Sequence, residues 1–96
     1  MSGSTHILIV DDDPRLCRAL ARYLKLEGYA VRTADSGREM RESLATEKPE
    51  LVLLDLQLPD LSGEKVCRIL TTRYPKLPVV VMSGSTHAEV AGACIE

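Results

Sequence analysis

Two adjacent aspartates, Asp11 and Asp12, follow an apolar run at residues 6–10, and Asp55 follows another at residues 51–54. A hydroxyl, Ser83, ends a third such run at residues 78–82. Short, continuous apolar runs of this kind read as buried strands. In open α/β sheets, ligands bind outside the carboxyl ends of the strands. If the two strands that end in aspartate are neighbours, three carboxylates converge on one small volume. Like charges held that close repel and raise each other's pKa values. A hard divalent cation removes the conflict, and oxygen-only ligands suit Mg²⁺. A carboxylate-held metal with a hydroxyl nearby is an arrangement for phosphoryl transfer. Helix capping is the competing explanation, and Asp13, just before Pro14, is placed to cap. One cap is enough for that helix, however, and Asp55 caps nothing, because the next helix begins near Gly63.

The elements that must position these groups alternate along the chain. After the first strand, Pro14 suits the first helical position and Gly28 a helix stop. Between them Leu16, Cys17, Leu20, Ala21 and Leu24 form one apolar face. Residues 29–33 alternate, with Arg32 pointing outward, as in an edge strand. Ser36 and Glu39 have capping-box spacing ahead of a helix carrying Met40 and Leu44, which Pro49 ends. Val66, Ile69 and Leu70 mark a third helix that closes near Pro75. Thr86 and Glu89 predict a cap for a fourth helix with Val90, Ala91, Cys94 and Ile95. Strict βα alternation implies a doubly wound α/β fold, a parallel sheet with helices on both faces.

Composition narrows the function classes. Ninety-six residues make one domain, 1–96. With three Tyr and neither Phe nor Trp, the core must be aliphatic, which argues against aromatic platforms for single-stranded nucleic acid. The net charge of −2 gives no general pull toward nucleic acid or anionic membranes. No apolar run is long enough to span a bilayer, and the N-terminus lacks a signal-peptide pattern, so a cytoplasmic location is expected. Cys17, Cys67 and Cys94 lack metal-type spacing and read as small core or boundary residues. A six-residue repeat, MSGSTH at 1–6 and 82–87, carries no function in this reading.

The segments ILIVDDDP at 7–14, LVLLDLQLPDLSG at 51–63 and PVVVMSG at 78–84 together resemble a receiver domain of two-component response regulators. ADSGREM at 34–40 is similar to that family's entry into its second helix. The resemblance implies a flavodoxin-like sheet of strand order 2-1-3-4-5. It also implies that Asp55 is the phosphoacceptor, attacking a phosphohistidine of a histidine kinase or phosphotransfer protein. Asp12 would be the principal Mg²⁺ ligand and Asp11 would orient the metal, with the backbone carbonyl of Gln57 as a further ligand. Ser83 would be the switch hydroxyl, and the side chains of Gln57 and Ser85 would influence hydrolysis of the phosphoryl group. The domain would act as a phosphoacceptor in signalling and not as an enzyme.

One departure from the family pattern is a lysine at the end of a fifth strand. Lys25, Lys48, Lys65 and Lys76 all precede Ser83, so none fills that position. The expectation is therefore an incomplete fold of four βα units, truncated by about 25 residues on typical element lengths. That would leave the Val79-Val80-Val81 strand as an uncharged edge, open to pairing in a homodimer or exchanged dimer. A second function class follows: an interaction module on the receiver fold that self-associates without phosphorylation. A third, a phosphohydrolase with an Asp nucleophile, is disfavoured because Asp55-Leu56-Gln57 lacks a second acid. DNA binding is disfavoured because no recognition helix stands apart from the core.

Overall fold

The computed structural model describes residues 5–82. Within them the order is β1 (His6–Val10), α1 (Pro14–Leu26), β2 (Ala30–Ala34), α2 (Gly37–Thr46), β3 (Leu51–Leu54), α3 (Gly63–Arg73) and β4 (Val79–Val81). The strands form one parallel sheet in the order β2-β1-β3-β4. This is the order that the resemblance implied for these four strands. Ser83, Ser85, Cys94 and the helix expected from Thr86 onward lie outside the described residues, as does the second copy of the repeat beyond Met82.

Alternate residues of each strand feed two aliphatic layers. Leu8, Val10, Val52, Leu54 and Val79 pack under α2 and α3 with Met40, Leu44, Val66, Cys67 and Leu70. On the other side, Ile7 and Ile9 pack with Cys17, Leu20, Ala21 and Leu24 of α1. Helices therefore cover both faces, which explains why residues 7–10 of β1 and all of β3 are apolar instead of alternating. Each fully buried Leu, Ile, Val or Met contributes about 1.5–3 kcal/mol, so the interior needs no aromatic residue. Of the tyrosines, only Tyr74 packs partly against the core. Tyr23 and Tyr29 are exposed.

Local chemistry sets the boundaries. The Asp13 carboxylate accepts from the N–H groups of Arg15 (3.0 Å) and Leu16 (3.4 Å), with Pro14 at the first helical position. α1 ends in a Schellman motif: Gly28 N–H donates to Lys25 O and Tyr29 N–H to Leu24 O, both at 3.0 Å. Gly28 has φ +100°, which this motif requires and glycine tolerates. Because Tyr29 is consumed by the cap, β2 starts at Ala30 and runs to Ala34, one residue later than the alternation predicted. Leu16 also departs from expectation. It is 40% exposed, because only Cys17, Leu20, Ala21 and Leu24 turn toward the sheet. Ser36 caps α2 through Glu39 N–H (3.1 Å), while the Glu39 carboxylate reaches the Asp35 N–H (2.9 Å), one residue before the cap.

Candidate functional site

Register places the acidic residues. Val10 of β1 pairs with Leu54 of β3, so the next residues along, Asp11 and Asp55, leave the sheet side by side. The backbone continues the ladder past both strands: Asp55 N–H donates to Val10 O (2.8 Å) and Asp11 N–H to Ala34 O (3.0 Å). Asp11, Asp12 and Asp55 each present a carboxylate oxygen within 4.8 Å of the others. The convergence expected from the strand ends is thus the arrangement found.

The three carboxylates differ in setting. Asp11 is 4% exposed, Asp12 is exposed and Asp55 lies between. Burial pushes the Asp11 carboxyl above its ordinary pKa, the Asp13 N–H pulls it back, and the charges of Asp55, Asp12 and Asp13 add to the rise. Asp11 also has a local structural task, since its Oδ1 accepts the Asp13 N–H at 2.9 Å. Its backbone carbonyl accepts the Cys17 thiol at 3.2 Å. Burial pushes that thiol's pKa up, with the Asp11 charge adding to it, so Cys17 is a buried protonated residue as its spacing suggested. Asp55 is not idle locally either. Its Oδ1 accepts the Gln57 N–H at 3.0 Å, which fixes its rotation and the first turn of the loop.

An exclusively oxygen donor set, two of whose three carboxylates are wholly or partly withdrawn from water, fits a hard divalent cation. Such a cation would offset the cost of holding the buried Asp11 charge beside two other carboxylates. Gln57 sits exposed on the loop two residues beyond Asp55. Ser83 and Ser85 belong to the residues not described.

One residue of this region escaped sequence reasoning. Asp60, exposed in the β3–α3 loop, accepts the N–H groups of Gly37 (Oδ1, 2.7 Å) and Arg38 (Oδ2, 3.0 Å) at the start of α2. Those N–H groups, Gly37's most of all, hold its carboxyl below the usual range. The only sequence signal was an acid after Pro59, and nothing in it names a partner more than 20 residues earlier.

The family profile described as the response regulator receiver domain matches residues 7–96. Among curated relatives, the response regulator MprA of Mycolicibacterium vanbaalenii is 40% identical over 88 residues, covering 90% of this chain and 38% of that protein. The chain thus spans well under half the length of the curated relatives it matches. Among solved structures, the receiver domain of NtrX from Brucella abortus aligns at TM-score 0.82 and 33% identity, over 93% of this chain and 76% of that one. The response regulator TrrA from Thermotoga maritima, solved in complex with Mg²⁺-BeF, aligns at TM-score 0.84 and 27% identity. That alignment covers 93% of this chain and 80% of TrrA.

Proposed function

This chain belongs to the response regulator receiver domain family, and from that premise we propose that Asp55 is a phosphoacceptor served by a histidine kinase or phosphotransfer protein. The observation that carries the reading is the convergence of Asp11, Asp12 and Asp55 at the carboxyl end of the sheet. In the transfer, an Asp55 carboxylate oxygen forms a bond to phosphorus while the phosphorus–nitrogen bond of a phosphohistidine breaks. The donor imidazole leaves with the electron pair, and Asp55 becomes an acyl phosphate. The Gln57 N–H on Oδ1 orients the carboxylate for that attack.

Asp11, Asp12 and Asp55, with the carbonyl of Gln57, would hold Mg²⁺. When bound, that ion supplies positive charge against the carboxylates and the phosphoryl oxygens. Asp13 is spent on capping α1 and stays outside the ligand set. Ser83 would contribute the hydroxyl that turns toward a phosphoryl oxygen, with Gln57 and Ser85 side chains setting how readily water reaches it. The role is that of a cytoplasmic phosphoacceptor and not of an enzyme that turns over a substrate.

The test is incubation with Mg²⁺ and acetyl phosphate, read by intact mass. The reading predicts one phosphoryl adduct that requires Mg²⁺ and is absent from Asp55→Asn. A folded protein that binds Mg²⁺ yet takes no adduct supports the second reading, a self-associating interaction module. An observation favouring that reading is β4, an outer strand of the sheet among the described residues, with Val80 48% exposed.

A further inference from the structure

The loop over residues 55–62 carries Asp55 and Gln57, and its path depends on what ties it down. Leu56 and Leu58 are buried in the core, and Ser62 caps α3 through the Lys65 N–H at 3.2 Å. Asp60 links the interior of this loop to another element, through both carboxylate oxygens to the N–H groups of Gly37 and Arg38. First-turn N–H groups of a helix have no partners within it, and the helix start carries partial positive charge. An acid that takes two of them makes charge-assisted hydrogen bonds. Leu61 closes over the same point, so that a Cβ on Gly37 would run into its Cγ at 2.6 Å.

The start of α2 is itself tied to the acidic site. Ala34, three residues before Gly37, accepts the Asp11 N–H, and Asp55 N–H in turn bonds Val10, the neighbour of Asp11. These links close a ring: from Asp11 to Ala34, along the turn to Gly37, across to Asp60, back through the loop to Asp55 and over to Val10. Of these joins, Asp60 alone depends on a side chain.

We propose that Asp60 is a positioning residue of the acidic site, clasping the β3–α3 loop to the start of α2 and so fixing the chain that carries Asp55 and Gln57. The inference rests on the phosphoacceptor reading only where phosphorylation is measured. The experiment compares wild type, Asp60→Ala, Asp60→Asn and Ser36→Ala as full chains. It reads Mg²⁺ affinity by calorimetry, acetyl phosphate labelling by intact mass, and thermal stability. Ser36→Ala removes a cap from the same turn of α2 but leaves the loop contact intact, so it separates positioning from helix stability. Asp60→Asn keeps an acceptor for Gly37 and carries the test if Asp60→Ala does not fold.

Asp60→Ala is expected to weaken Mg²⁺ binding and slow labelling by about tenfold each, the lower end for loss of a supporting partner at a metal site. Asp60→Asn falls between, and Ser36→Ala loses stability while both readouts stay at the wild-type level. Wild-type Mg²⁺ affinity and labelling in both Asp60 variants overturn the clasp, as does a Ser36→Ala protein impaired as much as Asp60→Ala. If wild type binds Mg²⁺ but takes no phosphoryl group, the phosphoacceptor reading falls and the Mg²⁺ affinities alone decide the clasp. If wild type binds no Mg²⁺ either, both are overturned.

Discussion

Asp11 and Asp60 lie on either side of Asp55 in sequence, and their surroundings push their carboxyl groups in opposite directions. Asp11 is buried beside other carboxylates, so its charged form is penalised in the folded state. That penalty is absent below the ordinary carboxylate range and complete once pH exceeds the raised folded value. Asp60 is held charged by two N–H groups. Its contribution is present above the ordinary range and is lost as pH falls through the depressed folded value. Without metal at neutral pH, Asp11→Asn is therefore expected to melt higher than wild type, and Asp60→Ala lower. Both differences should vanish in acid, as thermal melting against pH will show. The Asn side chain can still accept the Asp13 N–H, so the Asp11→Asn comparison isolates charge. The gain at Asp11 should also come with loss of the stabilisation that added Mg²⁺ gives wild type, since a ligand that binds only the folded state raises its stability.

At the scale of elements, the site depends on helices starting at fixed places, which tight approaches enforce at Gly37 against Leu61 and at Gly63 against Leu56. The start of α3 lies against Leu56, where a Cβ on Gly63 would come within 2.9 Å of the Leu56 Cβ and 3.2 Å of its backbone oxygen. Neither atom is the far end of a flexible side chain, so Gly63→Ala is expected to cost about 1–3 kcal/mol, as overpacking does. For a chain of this size each kcal/mol is about 4–8 °C in Tm, which differential scanning calorimetry resolves. Leu56 adjoins Asp55, so the same variant should also slow labelling. Most of this layout was legible beforehand, because runs such as residues 7–10 and 51–54 state burial on both faces, and Asp13, Pro14 and Gly28 mark helix ends by local chemistry. Contacts across the chain were not legible. Periodicity put Leu16 on the buried face of α1, since spacing does not reveal how wide a strip the sheet covers. Alternation alone extends β2 back to Tyr29, because nothing in its type shows that its N–H serves the helix cap. The Asp60 link joins two loops, and no pattern within either one predicts it.

At the scale of the whole molecule, the parallel sheet is a frame that brings the ends of β1 and β3 together and leaves an acidic cluster at one edge of the core. On its far side β4 is outermost among the described residues, and its Val79-Val80-Val81 run carries no charge to discourage pairing. Self-association through this strand predicts a sedimentation coefficient that rises with protein concentration, and Val80→Lys should suppress the rise. A concentration-independent monomer with normal helix and sheet content would rule it out. The larger claim is that the cluster exists to place a phosphoryl group on one particular carboxylate. Borohydride reduces an aspartyl phosphate to homoserine, so labelling with acetyl phosphate and Mg²⁺, followed by reduction and peptide mapping, reads the site directly. The account predicts homoserine at position 55 alone, dependent on Mg²⁺ and lost in Asp12→Ala. Homoserine at position 11, 12 or 60, or none at all in a folded protein that binds Mg²⁺, would contradict it.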